Sequence, residues 1–307
     1  MKVLVIGGPT AAGKSELAAR MAEALGGEVI NADSAQIYRG MDIGTAKPGR
    51  ELLDLVPHHL FDVAEISDPW DVKRYEEAAK RVVEDVAARG RLPVVVGGSG
   101  FYIKGLLEGV PEVPSGDPEL RRRLSAKSPS ELHRMLSELD PARARELHPN
   151  DVKRVVRALE ICLISGRPAS FYRWSGVPRW DVLKIAVDRE RGELKARIEK
   201  RVEAMLDAGW LEEVRGLAET YGFDNRVLAS TLGYRELLAH LKGELSLEEA
   251  VRLIKARTWR YSKRQRRWFR GEGFRFFVNP DLSELLRVVE RWLYAEDNWG
   301  KGQGKED

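Results

Sequence analysis

The 307-residue sequence predicts an α/β fold, with a central parallel sheet flanked by helices, from three observations. Short apolar, β-branched segments alternate with helical patterns through the first third of the chain, as in strand-helix-strand units. A glycine-rich loop joins the first strand pattern to the first helical pattern. A strand pattern returns at residues 183–188 after a long stretch without one. Hydrophobic residues make up 43% of the chain, which suits a core of ordinary density.

Taken in order, the elements predict a core that is interrupted once. We expect strands at 3–7, 28–31, 92–96, 183–188 and 274–278, and helices at 15–25 and 190–208. Arg/Glu/Leu-rich helical patterns without strands predict an all-helical insertion domain at 117–178. The core would then consist of a first part, 1–116, and a second part, 179–307, that ends in a frayed polar tail at 300–307.

Composition limits the function classes. The chain has 51 Lys and Arg against 48 Asp and Glu, so the net charge of +3 does not by itself indicate a polyanionic partner. Cys162 is the only cysteine, which excludes a disulfide framework and a cysteine zinc site, and its apolar surroundings predict a core position. No basic leader and no apolar run near the ~20 residues of a membrane span is visible, so we expect a cytoplasmic protein without a membrane partner.

The loop GPTAAGKS matches the phosphate-binding pattern G-x-x-x-x-G-K-[ST] between a strand and a helix. Its backbone N–H groups and the helix N-terminus would surround phosphate oxygens, Lys14 would add positive charge, and the Ser15 hydroxyl would bind Mg²⁺. The loop therefore predicts a P-loop NTPase-like core. The expected diphosphate- or nucleotide-binding residues are Gly8, Pro9, Thr10, Ala11, Ala12, Gly13, Lys14 and Ser15.

Two further strand ends carry polar residues toward the same edge of the sheet. Asp33 follows the second strand, where it is placed to accept a proton from a substrate, to pair with Lys14, or to cap the next turn. The third strand ends in Gly97, Gly98 and Ser99, where many P-loop NTPases have a metal-binding Asp, and this disfavours an ordinary ATPase. The two glycines would let another backbone or a flat ligand approach closely.

A basic, aromatic segment follows position 250. No acidic residue lies between Val251 and Gly271, and Trp259, Tyr261, Trp268 and Phe269 are interleaved with the cations. The cations are Arg252, Lys255, Arg257, Arg260, Lys263, Arg264, Arg266, Arg267 and Arg270. This pattern favours nucleic-acid binding over a solvated basic face. His58 and His59 have no third ligand in the pattern, which favours a structural or substrate-loop role over a metal site.

Seven stretches together resemble the tRNA dimethylallyltransferase family, also called tRNA isopentenyltransferases, of the bacterial type without a zinc-finger extension. They are GPTAAGKS (8–15), DSAQIYRGMDIGTAKP (33–48), PHHLFD (57–62), GGSGFY (97–102), NDVKRVVRALE (150–160), LGYRE (232–236) and YSKRQRRWFR (261–270). They are spread over most of the chain, and the second is highly specific.

The resemblance implies transfer of a dimethylallyl group from dimethylallyl diphosphate to N6 of the adenosine 3′ of the anticodon in tRNA. The P-loop would hold the diphosphate leaving group, with Mg²⁺ on Ser15. Asp33 would be the general base, Ser99 would line the passage between adenine and diphosphate, and Lys14 would complete the catalytic set. The partners would be the tRNA anticodon stem-loop and the donor, bound by a monomer whose insertion domain grips the anticodon loop.

The resemblance also implies a set of tRNA contacts. These are Asp33, Ser34, Ala35, Gln36, Ser99, Arg121, Lys153, Arg154, Val155, Val156, Arg157, Gly233, Tyr234, Arg235, Lys263, Arg264, Gln265, Arg267 and Trp268. The family usually has Thr in place of Ser99, and a Thr is common in place of Arg267. A small-molecule kinase with the same P-loop and Asp33 is the main alternative, and a non-catalytic RNA-binding NTPase is a third.

Overall fold

The structure, a computed structural model, describes residues 1–295, so the expected tail at 300–307 lies outside the described residues. Within this range, six strands form one sheet in which every paired neighbour is parallel. They are β1 (Lys2–Gly7), β2 (Gly27–Asn31), β3 (His58–His59), β4 (Leu92–Val96), β5 (Asp181–Asp188) and β6 (Arg275–Val278), in the order β3-β2-β4-β1-β5-β6. The predicted α/β class with a parallel sheet is confirmed. The two-residue strand β3 was not predicted, because two residues are too few to form a pattern.

The described helices begin and end as follows. They are α1 (Lys14–Leu25), α2 (Arg50–Leu53), α3 (Val72–Ala88), α4 (Gly100–Glu108), α5 (Pro118–Ser125), α6 (Pro129–Leu139), α7 (Pro141–Glu146), α8 (Val152–Ser165), α9 (Arg191–Asp207), α10 (Trp210–Tyr221), α11 (Arg226–Ser230), α12 (Tyr234–Leu241), α13 (Leu247–Gly271) and α14 (Leu282–Leu293). The helices predicted at 15–25 and 190–208 correspond to α1 and α9. The basic segment lies on α13, which begins with a capping box formed by Ser246 and Glu249.

Helices cover both faces of the sheet, which explains why its strands are continuously apolar. Val3 and Val5 face one core with Phe269, whereas Leu4 and Ile6 face another with residues of α1, α9 and α14. Successive side chains of a strand point to opposite faces, so a single strand supplies both cores. In the centre of the sheet β1 pairs with β4 on one side and β5 on the other, and the loops after these strands emerge at one edge.

The chain divides into two compact units. The first comprises Met1–Leu107 and the chain from Pro178 onward, and the second, Glu108–Val177, contains α5 to α8 and a 3₁₀ turn at Ala169–Phe171. The helical unit begins earlier than the expected position 117, because the connector packs with it: Val113 contacts its core, and Arg157 Nη2 donates to Pro114 O at 2.8 Å. Cys162 is buried in that core, as predicted.

Candidate active site

The P-loop is a tight turn between β1 and α1. Gly8 has a φ of 133°, and a Cβ at that position would lie 2.1 Å from the carbonyl oxygen of Val187, so only glycine fits. Ala11 also has a left-handed backbone, with a φ of 65°. Lys14 Nζ donates to Pro9 O at 2.8 Å, which folds the side chain back over the loop. The N-terminus of α1, with its positive end of the helix dipole, opens into the centre of this turn.

Two arginines hold the loop from the outside. Arg189 Nε donates to Ala12 O at 3.0 Å, and Arg197 Nε donates to Ala11 O at 2.9 Å. Each guanidinium thus fixes one carbonyl of the loop, including that of the residue with a left-handed backbone. These residues come from the end of β5 and from α9. Neither arginine was predicted, because nothing in the local sequence pattern relates them to a loop far earlier in the chain.

Lys14 lies in a region with excess positive charge. Burial and, to a smaller extent, the neighbouring Arg201 lower the pKa of Lys14 from 10.5 to about 8, although Asp33 and Asp188 act in the opposite direction. Burial and Arg197 also lower the pKa of Arg201 below its ordinary value, opposed by Asp33. Cations whose charged forms are disfavoured by their surroundings gain most from a bound anion. Arg201, on α9, is a further site residue that no sequence motif indicated.

Asp33 and Ser99 meet at the ends of neighbouring strands. Asp33 Oδ1 accepts a hydrogen bond from Ala35 N at 2.9 Å, so the predicted capping role applies to the turn after β2. Ser99 Oγ accepts from Ser34 N at 2.9 Å and donates to Ser34 Oγ at 3.1 Å. These bonds tie the loop that carries Asp33 to the loop after β4. The second carboxylate oxygen of Asp33 faces Gly98, on the side of the crevice.

The glycines after β4 permit close approach, as the sequence predicted. A Cβ on Gly97 would lie 2.1 Å from the backbone oxygen of Ala32, so the loop after β2 packs directly on it. A Cβ on Gly98 would lie 2.3 Å from Gln265 Nε2, so a side chain of α13 occupies the space beside it. The strand end that lacks a metal-binding Asp is therefore a packing surface for two other segments.

A crevice opens along these strand ends. It brings together Lys14 and Ser15 of the P-loop with Asp33, Arg201 and Tyr261. Burial and Asp33 both raise the pKa of Tyr261 above its ordinary value, whereas hydrogen bonds to Gln265 and Ser99 act against that rise. The crevice therefore has a cationic end at the P-loop and a carboxylate and a neutral phenol at the other side.

The loop at 42–48 borders the crevice and is held by the half-buried carboxylate of Glu213. Glu213 accepts hydrogen bonds from the backbone N–H groups of Asp42 (2.9 Å), Ile43 (2.7 Å) and Gly44 (3.2 Å), and also from the hydroxyl of Tyr234. Tyr234 is completely buried, and its hydroxyl helps to hold this loop through Glu213. Its burial follows from its place at the start of α12, which packs on α10 and α13.

The remaining expected contacts of that region also have partners within the protein. Gly233 caps α12 with a φ of 89°, and its N–H donates to Glu236 Oε2 at 2.7 Å. Arg235 and Arg257 both pair with the buried Glu236. Gln36 is buried, and its Nε2 donates to the carbonyls of the crevice loop at positions 45 and 46, at 2.9 and 3.0 Å. Gln36 therefore fixes the loop, whereas Ser34 and Arg235 are exposed.

The predicted tRNA contacts in the helical unit differ in their exposure to solvent. Val155 and Val156 are buried in its core. Arg121 donates to the buried Glu160 at 2.8 Å, and this ion pair fixes α5 against α8. Lys153 and Arg154, at the start of α8, are exposed. Arg157 Nη1 is buried without a hydrogen-bond partner, although Nη2 reaches Pro114 O.

Helix α13 has a face toward the crevice and a face toward solvent. Tyr261, Gln265 and Trp268 are directed at the strand ends, and a Cβ on Gly100 would lie 2.4 Å from the Trp268 ring. Lys263, Arg264 and Arg267 are exposed, as the predicted nucleic-acid contacts require. The guanidinium of Arg264 lies over the Tyr261 ring at 5.6 Å, which places a cation at the rim of the crevice.

His59 and His58 lie in β3, and both have partners. His59 Nε2 lies 2.7 Å from Oε2 of Glu28, a buried carboxylate whose pKa the Arg89 hydrogen bond holds at about 2. His58 Nδ1 lies 2.8 Å from Val56 O, and burial lowers the pKa of His58. His58 also lines the crevice, near Phe61. Among the described residues, no group of three or more His, Cys, Asp or Glu is arranged to hold a metal ion.

Comparison with known proteins decides the family. Residues 36–272 match the model of the IPP transferase family. The chain belongs to the tRNA dimethylallyltransferase family. Its relatives include tRNA dimethylallyltransferase 1 of Citrifermentans bemidjiense, 48% identical over 89% of this chain and 90% of that protein. The tRNA dimethylallyltransferase of Anaeromyxobacter dehalogenans is 45% identical over 95% of this chain and 100% of that protein.

Solved structures give the same family. The tRNA isopentenylpyrophosphate transferase of Bacillus halodurans superposes with a TM-score of 0.72 at 34% identity, covering 96% of both chains. A eukaryotic dimethylallyltransferase acting on tRNA superposes with a TM-score of 0.81 at 29% identity, covering 96% of this chain and 80% of that one. These relatives are prenyltransferases by name, so the small-molecule kinase alternative is not favoured. Among the described helices, none combines the length and the apolarity that crossing a bilayer requires.

Proposed function

We propose that this chain, a tRNA prenyltransferase, transfers a dimethylallyl group from dimethylallyl diphosphate to N6 of the adenosine 3′ of the anticodon. The bond between the allylic carbon C1 and the diphosphate oxygen breaks, and its electron pair leaves on diphosphate. A bond forms between C1 and the adenine N6, and N6 loses one proton. The products are diphosphate and N6-dimethylallyl adenosine in tRNA. The observation that carries this proposal is the crevice, which combines a P-loop with Asp33 under a basic helix.

The cationic end of the crevice suits a diphosphate leaving group. The departing oxygen gains negative charge as the C1–O bond breaks, so positive groups already in place lower the barrier. Lys14 and Arg201 are two such groups, and the N-terminus of α1 adds its dipole. Arg189 and Arg197 would keep the loop in shape by holding its carbonyls outside the site. The proposed reaction needs no nucleoside triphosphate. This agrees with the absence, at the end of β4, of the metal-binding Asp that many P-loop NTPases have there.

The carboxylate side of the crevice suits adenine. The N6 lone pair is delocalised into the ring, so the amine becomes a useful nucleophile only when it is oriented and its proton has an acceptor. Asp33 would accept that proton through the oxygen that the Ala35 hydrogen bond leaves available. Tyr261 and Ser99 flank Asp33, and their hydroxyls would line the passage between base and diphosphate. The adenosine would leave the anticodon-loop stack to reach this depth.

Magnesium fits the site only together with the donor. Ser15 lines the crevice at the P-loop, and its hydroxyl is a typical protein ligand of Mg²⁺ that is bound by substrate phosphates. Ser15 is the residue that would hold the ion. When bound, Mg²⁺ would neutralise part of the charge on the leaving diphosphate. Lys14 and Arg201 would neutralise a further part of the diphosphate charge, whether or not the metal is bound.

Exposed cations on two elements would hold the RNA. Lys263, Arg264 and Arg267 on α13 face solvent beside the crevice, and Lys153 and Arg154 begin α8 of the helical unit. Phosphate contacts of this kind fix the register of the loop, whereas the adenine is recognised within the crevice. The monomeric state and the cytoplasmic location stay predictions from the sequence.

The test is mass spectrometry of nucleosides from an unmodified tRNA after incubation with the protein, Mg²⁺ and dimethylallyl diphosphate. We expect N6-dimethylallyl adenosine with the wild type and none with Lys14→Ala, which removes the charge at the leaving group but leaves the RNA-binding cations. A second tRNA without adenosine 3′ of the anticodon is the control for position. Folded protein that binds tRNA and yields no modified nucleoside would refute the proposal, and transfer to the control tRNA would refute the assigned position.

A further inference from the structure

Gln265 makes two hydrogen bonds to the backbone of the candidate site. Its Oε1 accepts from Thr10 N at 2.8 Å, and its Nε2 donates to Gly98 O at 2.9 Å. The side chain is only 5% exposed. Both ends of the amide are therefore used inside the protein, and the residue is inaccessible to an RNA on the outer face of α13. This differs from the tRNA-binding role that the family resemblance implies for Gln265.

The two partners lie on opposite sides of a gap between neighbouring strands. Thr10 belongs to the P-loop that follows β1, and Gly98 belongs to the loop that follows β4. Because β1 and β4 pair directly, Gln265 connects the loops at the point where the crevice opens. Thr10 N can only donate and Gly98 O can only accept, so a bridge at this position needs a group with one acceptor and one donor. The primary amide of Gln meets that need, whereas a carboxylate or an alkyl chain does not.

The surroundings of Gln265 leave little freedom for movement. A Cβ on Gly98 would lie 2.3 Å from Nε2, a Cβ on Gly7 would lie 2.3 Å from the Phe269 ring, and a Cβ on Gly100 would lie 2.4 Å from the Trp268 ring. Side chains of α13 on both sides of this contact thus pack against backbone that has no side chain. Such packing defines one position for the helix, and hence one distance between the loops that Gln265 joins.

We propose that Gln265 is a positioning residue of the donor site and makes no contact with tRNA. Its amide holds the P-loop and the end of β4 at the separation that the diphosphate requires, and it does so from the helix whose outer face carries the RNA-binding cations. This inference rests on the proposed function, because it assigns the P-loop to the diphosphate of the donor.

The test compares Gln265→Met with Ser262→Ala. Methionine keeps the length and most of the volume of glutamine but removes both hydrogen bonds to the loops. Ser262 is a buried polar residue on the same helix whose hydroxyl donates within the helix, to Trp259 O at 2.8 Å, so Ser262→Ala is a matched loss of one hydrogen bond away from the loops. Isothermal titration calorimetry gives the Kd for inorganic diphosphate with Mg²⁺, and a filter-binding assay gives the Kd for an unmodified anticodon stem-loop.

For Gln265→Met we expect diphosphate binding weaker on the order of tenfold, because two net hydrogen bonds to the site are lost. Its RNA affinity should stay within about twofold of wild type, because the exposed cations of α13 are unchanged. Ser262→Ala should change neither Kd by more than about twofold, because it leaves both hydrogen bonds to the loops in place. Weaker RNA binding with unchanged diphosphate binding would overturn the inference, as would two unchanged constants in Gln265→Met or a wild type that binds no diphosphate.

A second variant covers the case in which Gln265→Met does not fold. Gln265→Glu keeps the acceptor for Thr10 N but loses the donor to Gly98 O, and we expect it also to weaken diphosphate binding and to leave RNA binding unchanged. Unaltered diphosphate binding in this variant would overturn the inference. Because both readouts are binding constants, a wild type that binds diphosphate and RNA but modifies no adenosine would refute the proposed function alone.

Discussion

Raising the pH from 7 to 9 should weaken the binding of dimethylallyl diphosphate about tenfold through Lys14 alone. Burial, and secondarily Arg201, lower the pKa of Lys14 from 10.5 to about 8. A pKa of about 8 leaves about 90% of the side chain protonated at pH 7 and about 10% at pH 9, whereas an ordinary lysine stays almost fully protonated over that range. If only the ammonium form binds diphosphate well, the apparent Kd rises by the ratio of these fractions.

The sign follows from proton linkage. The bound diphosphate stabilises the ammonium form and raises the pKa of Lys14 again, so binding above pH 8 requires the uptake of a proton. Folding shows the opposite trend. A lysine whose folded pKa lies below its unfolded value opposes folding at low pH, and this cost is relieved as the pH rises between about 8 and 10.5. Loss of donor affinity in this window is therefore not caused by Lys14-linked unfolding.

The assay is isothermal titration calorimetry of the donor, without tRNA, at half-unit steps from pH 7 to 9.5, with Lys14→Arg as the matched control. Arginine keeps its charge over the whole range, so its donor affinity should stay nearly flat. Titrations in two buffers of different ionisation enthalpy would also report the proton uptake directly. A flat wild-type profile, or the same slope in Lys14→Arg, would refute the reasoning from the lowered pKa of Lys14.

Three other predictions concern the acceptor side, the loop support and the RNA. Asp33→Ala should abolish transfer, with tRNA affinity within about twofold, because the proton acceptor is lost and the outer cations are not; near-normal turnover in a single-turnover assay would remove Asp33 from the base role. Tyr234→Phe should lower the free energy of unfolding in urea by about 1.5–3 kcal/mol, because the hydrogen bond from the buried tyrosine to the Glu213 carboxylate is lost; an unchanged denaturation midpoint would contradict this. Arg264→Ala should weaken tRNA binding and reduce the slope of log K against log salt by about 0.7, the value for one phosphate contact to a single strand; parallel salt plots for variant and wild type would exclude a phosphate contact.

Local sequence patterns predicted the parts of the site that directly follow a strand. The P-loop, Asp33 and the Gly97-Gly98-Ser99 turn were all found because each follows a β-branched segment at a fixed offset. Parallel strands end at a common edge of the sheet, so the proximity of the residues that follow them could be inferred without coordinates. The close approach at Gly97 and Gly98 was predicted because glycine has no side chain to prevent it, with a tight turn into the next helix as an equal alternative.

Residues that act across long separations could not be found in this way. Arg189 and Ala12 are 177 positions apart, and Glu213 contacts the loop at Asp42 from a distance of 171 positions. Neither pair has a common motif or period, because each is created by the packing of α9 and α10 on the sheet. The resemblance also assigned Tyr234 and Gln265 by their place in a motif, whereas their burial was visible only in three dimensions.

The division of charge on α13 shows why the count of cations overstates the RNA-binding face. Of the nine cations in the segment, Lys255, Arg257 and Arg266 pair with Glu203, Glu236 and Asp188, each from another element of the core. The cations that are exposed include Arg260, Arg264 and Arg267, which follow one another at helical spacing. Carboxylates on other elements of the core thus neutralise part of the positive charge of the basic segment. Each phosphate contact to a single strand contributes about 0.7 to the magnitude of the slope of log K against log salt. The exposed cations, and not all nine cations of the segment, therefore set the upper limit of the salt dependence.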